Sequence, residues 1–194
     1  MKKLLLLLCF ALPAICWIVS CNQAAPGATT DNVQTDSSRI AHGAYLVTIL
    51  GCGDCHSPKN MGPMGPAPDP ALLLSGYPAD RPRPAFPTGD SVKGFAVMNY
   101  DLTATSGPWG VTYAANLTPD ATGIEGWTED QFNIALTQGK SKGLANARPL
   151  MPPMPWENYK SMKREDVNAI FAYLKSIKPV KNLVPAIELV ARGK

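Results

Sequence analysis

The sequence predicts an all-α fold, and two observations support this class. Three segments carry apolar residues at helical spacing and are bordered by residues typical of helix ends. No segment alternates apolar and polar residues convincingly, as a half-buried strand would. We therefore expect helices that pack together and are joined by loops.

The first predicted helix covers residues 39 to about 50, and either Ser37 or Ser38 can cap its start. Gly43 lies in the middle of this helix, where glycine costs about 1 kcal/mol of helix stability relative to alanine. Close packing against another element would explain a glycine at this position.

The second and third predicted helices have clear ends. The second begins at Thr128, where Gln131 is placed to complete a capping box, and it ends at Gly139. The third helix is ended by Pro179, and its apolar residues recur at helical spacing. These residues are Val167, Ile170, Phe171, Leu174 and Ile177.

Ten of the 19 prolines lie between residues 58 and 108. This stretch also contains leucines and aromatic residues, which make it too apolar for a disordered segment. We expect a long ordered loop. Because structureless loops of this length are uncommon, a short helix or hairpin can be hidden in it.

Residues 52 to 56 read Cys-Gly-Asp-Cys-His. Two thiols about one helical turn apart can each form a thioether with one vinyl group of a haem, and the following imidazole can then bind the iron. The motif therefore predicts one covalently attached haem c, held by Cys52, Cys55 and His56.

Three other interpretations of the cysteine pair fit the sequence less well. A thioredoxin-like redox pair follows a strand, and nothing before Cys52 has the pattern of a strand. A structural zinc site takes its four ligands as two pairs, but beyond the first 21 residues the cysteines and histidines are Cys52, Cys55, His56 and His42 alone, with no second pair at zinc-finger spacing. A disulfide between the two cysteines would leave His56 unexplained.

The first 21 residues resemble a bacterial lipoprotein signal peptide. Lys2 and Lys3 precede an apolar run that Pro13 interrupts and that is short for a membrane span. The run ends in Ile-Val-Ser-Cys, which resembles a lipobox. This motif predicts cleavage before Cys21 and lipidation of that cysteine. The alternatives are an ordinary cleavage site nearby or an uncleaved membrane anchor. Residues 22–38 are predicted to form a flexible linker.

Charge and cysteine count follow from this cleavage. Loss of Lys2 and Lys3 leaves 16 basic against 15 acidic residues, so the mature protein does not have the basic character that nucleic-acid binding needs. Once one cysteine carries lipid and two carry haem, none remains for a disulfide framework. Membrane attachment then depends on the lipid on Cys21.

An iron held by the motif histidine needs a ligand on its other side. Met151 and Met154 lie among prolines, which fix the backbone and can present a thioether sulfur rigidly. Met61 and Met64 are weaker candidates because they are close to the motif in sequence, and His42 lies on the helix that leads into it. These residue patterns alone leave Met151 and Met154 both open.

Further motifs accompany the cysteine pair. They are Gly43-Ala44-Tyr45-Leu46, Asn116-Leu117-Thr118-Pro119-Asp120, Thr122-Gly123-Ile124, Gly126-Trp127, Met154-Pro155-Trp156 and Ala172-Tyr173-Leu174. With these motifs, residues 39–185 resemble a class I c-type cytochrome, particularly the haem domains of cytochrome subunits of bacterial membrane-associated dehydrogenases. The long 58–108 loop, the single haem motif and Lys163 in place of a serine or threonine cap depart from that family.

The resemblance implies three core helices around one haem, with the proline-rich loop as an insertion over the haem edge. It assigns Met154 as the sixth ligand and predicts that Gly43 packs against Ile170 and Tyr173. Because a ligating histidine usually donates its other N–H, we also expect a bond from His56 to a carbonyl within residues 62–68. Candidate partners of the haem propionates are Trp109, Trp127, Trp156, Asn116 and Arg148.

Histidine and methionine ligation leaves the iron without an open position, so the resemblance implies a one-electron carrier rather than an enzyme. A haem enzyme or sensor with a displaceable sixth ligand is the alternative. The expected redox partner is a dehydrogenase, a quinol-oxidising complex or a terminal oxidase. We expect the protein on the periplasmic side of a bacterial envelope, with residues 186–194 as a C-terminal tail.

Overall fold

The computed structural model describes residues 36–87 and 93–190. The predicted signal peptide, Cys21 and most of the predicted linker lie outside this part of the chain. Within it there are four α-helices: α1 (Asp36–Ile49), α2 (Cys52–His56), α3 (Glu129–Gln138) and α4 (Arg164–Ser176). None of these helices has both the length and the apolar character needed to cross a bilayer.

The prediction of an all-α class I cytochrome c fold is wrong, because the described residues also form two β-sheets. The strands are β1 (Lys59–Gly62), β2 (Gly65–Pro68), β3 (Val97–Met98), β4 (Ala104–Gly107), β5 (Gly110–Tyr113) and β6 (Glu188–Leu189). Each strand has only two to four residues. Alternation of apolar and polar residues is recognised over about four to eight residues, so these strands are at or below the lower limit. Four of them lie within the proline-rich stretch 58–108, including the hairpin of β1 and β2.

The larger sheet is antiparallel and has the order β3-β4-β5-β6. At its centre, Thr105 of β4 lies opposite Thr112 of β5, and every residue of β4 is buried. Val111 pairs with Glu188 of β6, so the chain returns to this sheet after its last helix. This long-range pairing explains why sequence periodicity gave no sign of the sheet.

Two helices agree closely with their predictions. Thr128 caps α3, and its backbone and side chain exchange hydrogen bonds with Gln131 in a complete capping box. Gly139 ends α3 in the left-handed conformation with a φ of 62°. The last helix, α4, ends at Ser176, three residues before Pro179, and Lys163 precedes it without a side-chain cap.

The first helix differs from its prediction at its start. It includes Ser37 and Ser38, which we expected to precede it as caps. Its glycine has the predicted role: a β-carbon on Gly43 would overlap the backbone carbonyl of Ala169 and lie 2.9 Å from the β-carbon of Tyr173. The contact with Tyr173 is as predicted, whereas Ala169 takes the place expected for Ile170.

In the described part of the chain, a hydrophobic core forms where α1, α3 and α4 pack together, with further contributions from the loops between them. Val167, Ile170 and Leu174 of α4 are almost completely buried there. Cys52 at the start of α2 and Met154 in the proline-rich segment before α4 both pack against this core. The core therefore brings the haem motif and one of the two candidate methionines to the same apolar cluster.

Candidate haem site

The haem motif forms the short helix α2, which follows directly from α1. Gly51 makes the connection with a φ of 66°, a left-handed conformation that glycine adopts at little cost. The helical path places Cys52 and Cys55 one turn apart, and both are free thiols and half-buried. The motif thus has the spacing that two thioethers require.

His56 is held by a hydrogen bond from its ring to the backbone. Its Nδ1 lies 2.8 Å from the carbonyl oxygen of Ala115. Because a carbonyl can only accept, Nδ1 carries the proton and Nε2 keeps a lone pair for a metal. The partner is not in residues 62–68 as expected, since those residues belong to the hairpin of β1 and β2, which is largely exposed.

The segment that accepts this bond is itself fixed. The N–H of Gly76 donates to the carbonyl of His56 over 2.8 Å, and the N–H of Tyr77 donates to the carbonyl of Ala114 over 3.0 Å. Gly76 has a φ of 78°, and a β-carbon there would overlap the Ala114 carbonyl. Residues 76–77 therefore lie between the motif and residues 114–115, and they hold the imidazole in one orientation.

Burial lowers the pKa of His56, although the hydrogen bond to Ala115 acts in the opposite direction. The folded protein therefore favours the neutral imidazole, which is the form that binds a metal. Burial also raises the pKa of the Cys52 thiol to about 11, with a further rise from Asp54. For Cys55, burial raises the pKa and the ammonium of Lys59 opposes the rise.

Both cysteines consequently remain thiols near neutral pH. This state suits thioether formation, because a vinyl group takes up the sulfur and the proton of an S–H group together. Tyr159 is buried close to the two thiols. Burial raises the pKa of its hydroxyl, and any negative charge on Cys52 or Cys55 would raise that pKa further. Sequence analysis did not identify Tyr159, since an isolated tyrosine carries no motif; it lies at the end of a short 3₁₀ helix, Trp156–Tyr159.

The two methionines in the proline-rich segment differ in their surroundings. Met154 packs against the hydrophobic core, whereas Met151 is half-buried and is not among the described residues that contact that core. The hydroxyl of Thr112 in β5 donates to the carbonyl of Pro152 over 3.0 Å, which ties this segment to the larger sheet. The peptide bond between Pro152 and Pro153 is cis.

The other candidates for a sixth ligand are placed less favourably. The side chains of Met61 and Met64 are 67% and 100% exposed on the hairpin of β1 and β2. Nε2 of His42 lies 2.7 Å from a carboxylate oxygen of Asp166 on α4, so this imidazole already has a partner.

Among the expected propionate partners, Trp109 differs in having a hydrogen-bond donor that is unpaired within the described residues. Its Nε1 is buried and has no hydrogen-bond partner, so it is available to an acceptor such as a carboxylate. The side-chain amide of Asn116 is already bonded to Thr122 and to the backbone of Val180, and Arg148 bonds the carbonyl of Pro149.

Comparison with known proteins gives several partial matches. The chain is 29% identical over 152 residues to the fructose dehydrogenase cytochrome subunit of Gluconobacter japonicus, a match covering 77% of this chain and 24% of the relative. It is 37% identical over 75 residues to the gluconate 2-dehydrogenase cytochrome c subunit of Pantoea cypripedii, covering 38% of this chain and 16% of the relative. No protein-family model matches the chain.

This chain resembles the cytochrome c subunits of bacterial dehydrogenases. A third relative, the alcohol dehydrogenase (quinone) cytochrome c subunit of Gluconacetobacter polyoxogenes, is 37% identical over 75 residues, which are 38% of this chain and 15% of that protein. The matches thus span about a quarter or less of the length of these relatives.

The residues present fit a covalently bound haem. Two free thiols lie one helical turn apart, and the adjoining imidazole has a fixed tautomer with its Nε2 available. Met154 offers a thioether beside the same core as Cys52. This donor set is the one a cytochrome c needs.

Proposed function

We propose that this chain is a one-electron carrier with a single haem c bonded to Cys52 and Cys55 and ligated by His56 and Met154. The hydrogen bond between His56 and Ala115 carries this proposal, because it fixes the imidazole and leaves Nε2 for the iron. When bound, the haem supplies the one-electron redox chemistry. The chain itself orients the imidazole, supplies the thiols and excludes water with its apolar core.

Axial ligation from two side chains favours a carrier over the alternative of an enzyme or sensor. His56 and Met154 would together leave a bound haem iron no site for oxygen or substrate, and ligation by histidine and methionine would raise the reduction potential. The packing of Met154 against the core supports this arrangement, since a side chain held by packing is harder to displace than an exposed one.

We infer that the electron donor is a dehydrogenase. The relatives named above are cytochrome subunits of fructose, gluconate and alcohol dehydrogenases, and a carrier resembling them can serve such an enzyme in the same way. The remaining expected partners, a quinol-oxidising complex and a terminal oxidase, would then act as acceptors. The carrier is proposed to work on the periplasmic side of a bacterial envelope, which the predicted export signal of the first 21 residues supports.

The ligand assignment is tested by replacing each of the two methionines with alanine in a separate variant. Met154→Ala is expected to abolish the weak sulfur-to-iron absorption of the ferric protein and to lower its reduction potential, with haem still covalently bound. Met151→Ala is the matched control and is expected to keep both properties. It should lower the free energy of unfolding through lost packing alone, by about 2 kcal/mol if the side chain becomes buried around the haem. Absorption and potentiometric titration of both variants make the comparison.

The reverse result would move the sixth ligand to Met151. Loss of the absorption in neither variant would exclude both methionines and return the assignment to Met61 or Met64, and its absence from the wild-type protein would point to His42. Either result leaves the covalent attachment through the two cysteines intact, because neither variant changes a thiol.

We further propose that lipid on Cys21 tethers the carrier to the membrane through the linker of residues 22–38. Cys21→Ala is expected to release a soluble protein or to leave the precursor uncleaved, because the modified thiol is then missing. Phase separation in detergent measures the outcome. Wild-type protein found entirely in the aqueous phase would contradict the tether.

A further inference from the structure

Lys59 is a buried lysine beside the haem motif. It lies three residues after His56, at the first position of β1, and it is only 9% exposed. Its Nζ lies 2.5 Å from the carbonyl oxygen of Asp54, 2.6 Å from that of Asp101 and 3.3 Å from that of Ser57. Three acceptors match the three donors of an ammonium group, so this side chain is a buried cation.

Two of these acceptors belong to the haem motif and its immediate continuation. Asp54 is bonded directly to Cys55, and Ser57 follows His56 at the end of α2. The last carbonyls of a helix have no partner within it, and a cation there interacts favourably with them. Lys59 therefore holds the end of the helix that carries both thiols and the imidazole.

Asp101 links the lysine to the rest of the protein but does not neutralise it. The carboxylate of Asp101 is fully buried and accepts hydrogen bonds from Nη1 of Arg81 over 2.6 Å and from the hydroxyl of Thr103 over 2.6 Å. Burial alone would raise the pKa of Asp101, but the hydrogen bonds from Thr103 and Arg81 lower it overall. Arg81 is thus the counter-charge of this carboxylate.

The ammonium of Lys59 reaches the backbone carbonyl of Asp101 and not its carboxylate. The described residues contain no carboxylate within ion-pair distance of Lys59. Its charge is therefore compensated by backbone dipoles and not by a direct ion pair. Because this charge is shielded from solvent, water screens it weakly.

We infer that Lys59 positions the haem-attachment helix and that its fixed positive charge raises the reduction potential of the proposed haem. This inference rests on the proposed function. Ferric haem carries one more positive charge than ferrous haem, so a nearby buried cation disfavours the oxidised form. The contact with the carbonyl of Asp54 places this cation next to the residue that would carry one thioether.

The test is potentiometric titration of the holoprotein and its variants. Lys59→Met keeps most of the side-chain volume but removes the charge, and we expect the ferrous-to-ferric ratio at a fixed ambient potential to fall about tenfold, a shift of about 59 mV for one electron. Lys59→Arg keeps the charge and is expected to recover most of the potential. Lys163→Met, which removes an ammonium that is 75% exposed, is the matched control and should leave the potential unchanged.

An unchanged potential in a Lys59→Met protein that carries haem would overturn this inference and leave the proposed function standing. Wild-type protein without haem would instead overturn the proposed function. If Lys59→Met yields no holoprotein, Lys59→Gln provides the second measurement, since its amide can still donate to the same carbonyls without a charge and should lower the potential in the same way. A potential that is unchanged in Lys59→Gln would equally contradict the inference.

Discussion

Replacing both Cys52 and Cys55 by alanine is expected to remove all haem from the denatured polypeptide. Each thioether needs its own sulfur, and the described residues contain no other cysteine near the motif. The histidine could still bind an iron in the folded variant, but a coordination bond of this kind does not survive denaturation. Haem staining after denaturing electrophoresis measures the loss.

The matched control for this double variant is Met154→Ala. This variant removes the proposed sixth ligand of the iron but changes neither thiol. Its haem-stained band after denaturing electrophoresis should therefore persist. Cys52→Ala alone and Cys55→Ala alone should each retain a band through the remaining thioether, at reduced yield. A stained band in the double variant would show that haem is attached elsewhere on the chain.

Gly43→Ala is expected to destabilise the holoprotein by about 1–3 kcal/mol, the usual cost of overpacking a core. In an isolated helix this change would gain about 1 kcal/mol, because alanine is the better helix former. Here the new β-carbon would overlap the backbone carbonyl of Ala169, which no side-chain rotation can relieve. Helices α1 and α4 must move apart, and the packing loss outweighs the gain in propensity.

Thermal unfolding of the holoprotein measures this effect, with a shift of about 2–4 °C for each kcal/mol in a domain of this size. Gly126→Ala is the matched control, since a β-carbon on Gly126 would have no neighbour within 4 Å. A rise in the midpoint for Gly43→Ala would mean that α1 and α4 do not cross as closely as the structure has them.

Sequence reasoning succeeded where the signals were local. The start and end of α3 depend on Thr128, Gln131 and Gly139, which all act on their own helix. The spacing of the two cysteines and His56 is likewise fixed within one turn. Such features need no knowledge of the tertiary structure.

Sequence reasoning failed where distant segments meet. Val111 and Glu188 pair across 77 positions to add β6 to the sheet, and neither strand is long enough to alternate. In the same way, His56 bonds Ala115, 59 residues away, instead of its own downstream hairpin. Pairings of this kind depend on how the chain folds back, which periodicity does not report.

Lys59 shows how a charge can be overlooked. It is the one charged residue between His56 and Asp69, and a lone lysine is normally read as a surface residue. Only the carbonyls of Asp54, Ser57 and Asp101, brought together by the fold, make its burial favourable. Its isolation in an apolar, proline-rich stretch was the one available signal.

The most direct test of a covalent haem c is the ferrous visible spectrum of the exported wild-type protein, recorded before and after denaturation. We expect the narrow bands of low-spin c-type haem in the folded protein. After denaturation and extraction, one haem should remain on each polypeptide, bonded through Cys52 and Cys55. A polypeptide without haem, or a haem that denaturation releases, would contradict the proposed function.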